Sequence, residues 1–397
     1  SGECAISSDP DEELLKEIKT LLETEMVAVP VPANGLECTL GYDDNGNDTE
    51  HQAIVYGENV KTFFVHKPFS IAKHEVSYKL FYDVRTLAEK KGYKFANKGL
   101  AGSNKGTWDD ANKIWANEGA TPTEATENLP VTMVSYNDLV VWCNALSELT
   151  GKEAVYYKEA TFNTVLKDAG DRAVDTTYVL KGAALDCHNA KAKYSANGYR
   201  LPRLKEWEMA AKWQGAQNKG NSKSITVGTG TYYYTKGDSF SGASANFRDE
   251  EACKKVAWYK KNSENKVHAI GEKTDGANAL GLFDMSGNVA EFTANRHAGG
   301  HTLKGGSYSS SADDCITTYQ IEAKPEDRWE YVGFRLCQGV QGEVTLNAIP
   351  TDVDAMLNFP AFTSPIKVPM GIDDSEDESI KASFKIGKYE VCNKLFY

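Results

Sequence analysis

Two carboxylates seven residues apart bracket a turn that could bind a hard cation. Asp284 and Glu291 end the segment DMSGNVAE, which contains a glycine where the backbone can turn tightly. A tight turn exposes carbonyl oxygens, and calcium binds six to eight oxygens at once. The spacing therefore fits a calcium site. The alternative is that Asp284 caps a turn while Glu291 pairs with a nearby Arg or Lys.

The segment from Tyr308 to Tyr331 has the composition of a binding surface. It mixes short hydroxyl and acidic side chains with large aromatic rings. Aromatic rings give rigid contact area at little entropic cost, and short polar groups adapt their hydrogen bonds. The mixture predicts contacts to a protein, peptide or glycan; a solvated loop is the alternative. The predicted ligand-binding residues are Ser309, Ser310, Asp313, Asp314, Thr318, Tyr319, Glu326, Trp329, Glu330 and Tyr331.

Composition limits the classes of partner. The 397 residues carry a net charge of −12, which repels nucleic-acid backbones and anionic membranes. No apolar run approaches the ~18 residues that a membrane span needs. The eight cysteines lack C-x-x-C spacing, and they neither establish nor exclude an oxidising compartment. We therefore expect no nucleic-acid partner and no transmembrane segment.

Four helices are predicted from caps and apolar spacing. The first follows Asp9, and Ser77 and Ser135 cap the second and third. In the third helix, Asp138 takes the place of the usual Glu of a capping box. The fourth covers Leu204 to Trp213. The rest is rich in Gly, Asn, Ser and Asp, which predicts an irregular α+β domain with long loops.

Five sequence blocks carry a resemblance to a known family. They are PVTMVSYND (130–138), NGYRLPRLKEWEMAA (197–211), GLFDMSGNVAEF (281–292), LKGGSY (303–308) and VGFRLC (332–337). In these blocks the chain resembles the formylglycine-generating enzyme, or sulfatase-modifying factor, family. The resemblance implies the formylglycine-generating-enzyme type of C-type lectin fold, which is an α+β fold. That fold supports both an oxidase and non-catalytic binders.

Finer features resemble particular branches of this family. The phrases VVWCNALSELTGKEAVYY and VAWYKKNSENKVHAIG are similar to bacterial, spirochaete members. Ala312, Cys315, Pro325 and Arg328 resemble the framework of variable proteins diversified by retroelements, whose intervening residues face ligand. Arg203 stands where the family usually has a capping Thr, so we expect the fourth helix to begin less firmly.

The resemblance implies a calcium ion in the GLFDMSGNVAEF block. The family's ligand pattern falls on the side chains of Asp284 and Glu291 and on the backbone oxygens of Gly287 and Val289. We therefore expect a structural calcium ion at these four residues.

The resemblance also bears on catalysis. The family's oxidase needs two cysteines five residues apart after GGSY, which together bind copper. Here Ser310 replaces the first, Cys315 is the second, and Ser307 matches the active-site serine. A hydroxyl is a poor ligand for Cu(I). We expect no copper and no catalysis, with these three residues as remnants; the alternative is a copper-dependent formylglycine-generating oxidase or a related metal-dependent oxidoreductase.

Two expectations concern other cysteines. The family joins the cysteines that correspond to Cys143 and Cys337, and such a disulfide would stabilise the fold by roughly 4–5 kcal/mol. Cys4 is a candidate lipid-anchor residue of a lipoprotein. We therefore expect an extracytoplasmic protein, at the bacterial cell surface or in the periplasm.

An internal repeat defines the domain boundaries. FSIAKHEVSYKLFY (69–82) recurs as FKIGKYEVCNKLFY (384–397), with nine of fourteen positions identical. We assign residues 1–24 to an acidic amphipathic helix, 25–340 to the C-type lectin domain, and 341–397 to a linker and the truncated start of a second copy. That tail either stays a stub or pairs with another molecule.

Overall fold

The computed structural model divides the chain into two units, residues 1–340 and 341–397. The first unit contains the helices and most of the strands. The structure describes residues 9–29, 36–40, 61–65, 68–174, 177–216, 222–227, 230–297, 299–339, 356–359, 366–369, 377–380 and 384–387.

Six helices occur among the described residues of the first unit. They are α1 (Pro10–Glu25), α2 (Tyr78–Glu89), α3 (Tyr136–Leu149), α4 (Gly182–His188), α5 (Leu204–Lys212) and α6 (Glu250–Val256). The predicted caps are confirmed: Asp9, Ser77 and Ser135 each accept a hydrogen bond from a first-turn N–H. The Ser135–Asp138 capping box is present as well.

Short strands complete the first unit. They are β1 (Met26–Val29), β2 (Leu36–Leu40), β3 (Lys61–Val65), β4 (Phe69–Ala72), β5 (Leu100–Ala101), β6 (Trp108–Asp109), β7 (Ile114–Trp115), β8 (Val131–Thr132), β9 (Tyr156–Tyr157), β10 (Lys191–Ala192), β11 (Tyr199–Arg200), β12 (Trp213–Gly215), β13 (Ser222–Val227), β14 (Gly230–Thr235), β15 (Ala290–His297), β16 (Gly300–Lys304), β17 (Gln320–Ala323), β18 (Val332–Gly333) and β19 (Cys337–Gly339). One four-stranded sheet has the order β1-β4-β19-β11, and another has the order β17-β16-β15-β18.

The strand pairing brings the two ends of the domain together. Cys337 pairs with Ile71 and also with Arg200, so β19 lies between β4 and β11. In the other sheet β15 and β18 pair in parallel, and the remaining neighbours are antiparallel. The last strand of the unit thus closes a sheet begun near its N-terminus.

Helix α3 is the centre of the main apolar core. Trp142 is fully buried, stacks on Phe81 with ring centres 5.7 Å apart, and meets the edge of Phe334 at 5.3 Å. Its Nε1 donates to the Phe81 carbonyl at 3.1 Å, so the one polar atom of the ring is satisfied. Such packing holds α2, α3 and the 332–337 segment in fixed positions.

Helix α1 packs into the same core through Ile18 and Leu22, within the first unit. At the start of helix α5, Arg203 gives no side-chain cap, as expected, and other groups accept the first N–H bonds. The N–H of Leu204 donates to Asn295 Oδ1 at 2.6 Å, and the N–H of Arg203 donates to Glu206 Oε2 at 2.8 Å. Tertiary contacts therefore supply the cap that the local sequence lacks.

The described residues of the second unit form four short strands, β20 (Met356–Phe359), β21 (Ile366–Pro369), β22 (Asp377–Ile380) and β23 (Phe384–Gly387). Strands β20 and β23 pair antiparallel, as do β21 and β22. The first four residues of the second repeat form β23. The rest of that repeat and Cys4 lie outside the described residues.

Among the described residues, no helix combines the length and the apolar character that crossing a bilayer requires.

Candidate functional site

A surface cavity of about 700 Å³ lies beside the end of the predicted binding segment. Its volume is typical of small-ligand and side-chain binding sites. We call it the tryptophan pocket, and its lining residues are Trp108, Trp115, Met133, Ala173, Val174, Tyr178, Lys324, Glu326, Asp327, Arg328, Trp329 and Glu330.

Strands β6 and β7 form one wall of the tryptophan pocket. They pair Trp108 with Trp115, whose rings lie 4.9 Å apart and are tilted by 60°. The Trp108 side chain is 42% exposed, which is unusual for so large an apolar residue. The Lys105 ammonium lies 5.1 Å from the Trp115 ring centre and pairs with Glu330. This wall therefore already holds one cation against a ring and a carboxylate.

Trp329 lines another part of the tryptophan pocket, and contacts with Tyr331 and Met133 hold it in position. Its ring stacks on Tyr331, with centres 5.6 Å apart and planes 4° from parallel. Its carbonyl accepts from the N–H of Met133 at 3.1 Å. Met133 has a φ of +54°, a conformation that costs a non-glycine residue free energy and concentrates at functional sites. The backbone at this wall is thus strained but tied in place.

A buried ionic network joins the two walls. The Glu118 carboxylate is buried and accepts from Arg328 Nη1 at 3.3 Å and from Arg172 Nη2 at 3.4 Å. Arg328 Nη2 also donates to the Lys113 carbonyl at 3.2 Å. Burial lowers the pKa of Arg328, although Glu118 opposes that shift. Because the cations come from different segments, the network fixes the geometry of the pocket.

Acidic groups supply polar contacts on the 324–330 side. Asp327 Oδ2 accepts from the Lys324 N–H at 2.8 Å, which shapes a turn. Within the described part of the chain, Glu326 Oε2 is enclosed without a hydrogen-bond partner. An enclosed carboxylate oxygen without a donor is costly, and the other carboxylate oxygens of this side face the pocket more openly. The pocket therefore offers three indole rings and at least one acceptor.

The structure divides the ten predicted ligand-binding residues. Glu326, Trp329 and Glu330 line the tryptophan pocket, and Tyr331 supports Trp329 from behind. The other six, Ser309, Ser310, Asp313, Asp314, Thr318 and Tyr319, do not line it.

Thr318 and Tyr319, which are among these six, contact the interior of the domain. Thr318 is fully buried and donates to the Gly237 carbonyl at 2.8 Å, so it does not face a ligand. Tyr319 packs against the small apolar cluster that contains Cys315. Burial raises the pKa of Tyr319 to about 12, so its hydroxyl stays protonated.

Comparison with known proteins now identifies the family. The model of the sulfatase-modifying factor enzyme 1-like domain matches residues 20–340. The chain belongs to this family. Variable protein 1 of Treponema denticola shares the fold at 23% identity and a TM-score of 0.51, over 79% of this chain and 95% of that one. CarF does so at 22% identity and a TM-score of 0.52, over 80% and 98%.

A curated relative aligns over a shorter stretch. "Chaperone protein LppX" of Paenibacillus barcinonensis is 28% identical over 218 residues, which is 49% of this chain and 64% of the relative. The chain thus spans less than two thirds of that relative. The structural likenesses establish the α+β, C-type lectin type of fold that the sequence predicts.

The remnant oxidase positions of this sulfatase-modifying factor domain lie close together. Ser307 Oγ is 3.2 Å from the Oγ of Ser310, and Cys315 Sγ is 3.9 Å from the Ser307 carbonyl. Cys315 is fully buried, and burial raises the pKa of its thiol well above the usual value. A protonated, enclosed thiol beside hydroxyls is poorly suited to bind copper, because the thiolate is the form that binds metal.

The two carboxylates among the implied calcium ligands already have protein partners. Arg335 donates to both oxygens of Glu291, with contacts of 2.6–2.9 Å, and Trp207 Nε1 donates to Glu291 Oε2 at 2.7 Å. Asp284 Oδ2 accepts from the Gly271 N–H at 2.7 Å. This is the alternative in which Glu291 pairs with an arginine.

Close packing accounts for the rest of that turn. Gly287 has a φ of +79°, and a Cβ there would lie 2.2 Å from the Trp258 carbonyl oxygen. The N–H of Val289 donates to Glu75 Oε1 at 3.0 Å. In the described ranges no group of three or more His, Cys, Asp or Glu is arranged to hold a metal. Because the Glu291 carboxylate is held by Arg335, it does not fit the calcium-ligand role that the resemblance implies, and the calcium ion stays a prediction.

The predicted disulfide is not formed in the structure. Cys143 and Cys337 are both buried free thiols, and burial raises the pKa of each. The Cys337 sulfur lies 3.7 Å from Glu206 Oε2, so it faces the ion pair below α5. We therefore correct the expectation: the domain is closed here by strand pairing and apolar packing rather than by a covalent bond.

The sequence reasoning missed Trp108 and Trp115. A signal was present, because KGTWDDANKIWANEG places two tryptophans seven residues apart in an otherwise polar stretch. Large apolar residues in such surroundings lack a core to fill, which favours an exposed binding role.

Proposed function

We propose that this sulfatase-modifying factor domain is a non-catalytic protein that binds a protein, peptide or glycan in the tryptophan pocket. The observation that carries the proposal is the convergence of Trp108, Trp115 and Trp329 around one cavity beside Glu326. Indole rings are the commonest anchors of binding energy at protein surfaces. The likeness to a variable protein is consistent with a binding role.

The chemistry at the remnant positions supports a binder over the alternative oxidase. The oxidase of this family needs two sulfur ligands, whereas this chain has the Ser310 hydroxyl and the buried Cys315 thiol. Incubating the full chain with Cu(I) and a cysteine-containing peptide should therefore produce no aldehyde. Detection of aldehyde on that peptide by mass spectrometry would instead support the oxidase.

The binding role is tested by screening the full chain against a glycan array and a displayed peptide library. Wild type and Leu185→Ala should bind the same probes, because Leu185 is exposed on α4 and does not line the pocket. Trp329→Ala should weaken that binding by about 30-fold or more, as expected for a buried aromatic anchor. Probes bound equally by Trp329→Ala would contradict the proposal.

The proposal includes an extracytoplasmic location, which fractionation of cells that produce the native protein would test. Recovery of the protein in the cytoplasmic fraction alone would contradict that part.

A further inference from the structure

A second cavity, of about 340 Å³, lies between α1 and α2, and we call it the α1 cavity. It shares no lining residue with the tryptophan pocket. Part of its wall, including Leu14 and Ile18, precedes residue 20, where the family match begins. The cavity is therefore built partly by an element beyond the matched domain.

Helix α1 is held near both ends by side-chain contacts, and the α1 cavity lies between them. Near its start, Asp11 pairs with Lys90 at 2.7 Å. At its end, Glu25 pairs with His74 at 3.0 Å. Between these two contacts, Ile18 and Leu22 are buried in the core, whereas Leu21 on the neighbouring face of the helix stays open toward the cavity.

The wall of the α1 cavity is apolar. It is formed by Leu14, Ile18, Leu21, Leu80, Ile270 and Leu336. The Leu21 side chain is 43% exposed, although it lies beside buried apolar neighbours. Covering such a wall with an apolar group removes it from water, which is favourable in proportion to the area covered.

The polar lining of the α1 cavity is acidic. Besides the buried Glu75, four carboxylates line it, Glu17, Glu25, Asp83 and Glu127, against the two basic residues His74 and Lys79. Lys79 pairs with Asp83 at 2.5 Å, and His74 pairs with Glu25. Among the described residues that line the cavity, Glu17 and Glu127 then remain as carboxylates without a basic partner. The chain's net charge of −12 adds to the negative potential there.

We propose that the α1 cavity binds a small amphipathic organic amine. The apolar body of the amine would lie against Leu21 and Leu80, and its ammonium group would lie near Glu17 and Glu127. A volume of 340 Å³ is near the lower end of small-molecule sites, which fits a medium-chain alkylamine. An anionic amphiphile of the same length meets like charge at the same carboxylates and is rejected.

The test is isothermal titration calorimetry of the full chain at neutral pH with three probes of matched length: n-octylammonium, n-octanoate and n-octanol. We expect saturable binding of one n-octylammonium, at least about tenfold tighter than n-octanoate, because like-charge contacts are strongly unfavourable. The n-octanol probe isolates the apolar contribution and should bind with intermediate affinity.

Two variants locate the binding. The double variant Glu17→Gln/Glu127→Gln should lower n-octylammonium affinity by about 3- to 10-fold, as expected for two partly exposed carboxylates, and leave n-octanol unchanged. Leu21→Trp should block all three probes by filling the cavity. Leu185→Trp adds an indole on α4 as a matched control and should change nothing.

Three results would overturn the proposal. They are equal affinity for n-octanoate and n-octylammonium, full affinity in the charge variant, and undiminished binding in folded Leu21→Trp. The charge variant replaces groups of similar shape, so it decides the question even if Leu21→Trp disturbs α1. Binding to the α1 cavity is also independent of Trp329, so failure here leaves the proposed role of the tryptophan pocket intact.

Discussion

Replacing Arg335 by Met should destabilise the domain by about 3–5 kcal/mol, the usual effect of breaking a buried ion pair. Arg335 and Glu291 are both fully buried. The guanidinium donates to Glu291 and to the carbonyls of Ala72, Lys73 and Phe283 at 2.8–3.1 Å. Without it, these three carbonyls each lose a hydrogen bond, and Trp207 Nε1 is the side-chain donor that still contacts the Glu291 carboxylate.

The assay is urea unfolding followed by tryptophan fluorescence, with the slope of the transition compared between variants. Lys193→Met is the matched surface control, since Lys193 pairs with the half-exposed Glu153 and its loss should change the free energy of unfolding little. The double variant Arg335→Met/Glu291→Leu should recover part of the loss, because it no longer buries an unpaired charge.

A decrease of less than about 1 kcal/mol in the free energy of unfolding for Arg335→Met would refute the reasoning, because removing a fully hydrogen-bonded, buried guanidinium should cost more than that. The same experiment tests the role of calcium. If Glu291 is bound by Arg335 rather than by metal, wild-type stability should be the same in excess calcium and in excess chelator. Strong stabilisation by calcium would show that Glu291 binds the ion and that the arginine contact is secondary.

Three further predictions follow from contacts in the interior. Burial lowers the pKa of Lys304 to about 8. Between about pH 8 and pH 10 the unfolded chain therefore binds more protons at Lys304 than the folded chain does. In urea titrations, the free energy of unfolding of the wild type should rise with pH in this range by up to about 1.4 kcal/mol per pH unit, relative to Lys304→Met. Gly306→Ala should destabilise the domain more than Gly281→Ala in thermal unfolding. Both glycines have positive φ, but only at Gly306 would an added Cβ clash, with the Asp314 carbonyl oxygen at 2.6 Å and Cys315 Sγ at 2.7 Å. Equal effects would contradict this, the Gly281 change itself costing about 1 kcal/mol. Asn295→Ala should lower the free energy of unfolding by about 1 kcal/mol and speed amide exchange in the first turn of α5, because it removes the acceptor of the Leu204 N–H. Unchanged exchange would show that this cap is unimportant.

Features that depend on neighbours in sequence could be predicted. The caps at Ser77 and Ser135 need only residues within three positions, and the order of the family blocks indicates the fold. The unusual composition of residues 308–331 also pointed to the part of the chain where Trp329 and Glu330 line a surface cavity, while ligand binding there stays a proposal.

Features that depend on distant partners could not be predicted. Glu291 lies 44 positions from Arg335, and Asn295 lies 91 positions from Leu204. From sequence alone, a carboxylate that binds calcium cannot be distinguished from one that pairs with an arginine, because the sequence does not show which cation lies beside it. The second wall of the tryptophan pocket was missed for the same reason, because it comes from Trp108 and Trp115, about 200 positions earlier in the chain.

The walls of the tryptophan pocket come from four separate stretches of chain, around Trp108, Met133, Val174 and Glu330. The side chains of Trp108, Val174 and Glu330 do not belong to the apolar core around α3. An engineer could therefore randomise them together and select new affinities while leaving the interior untouched. A domain assembled in this way is a promising starting material for laboratory-evolved recognition reagents.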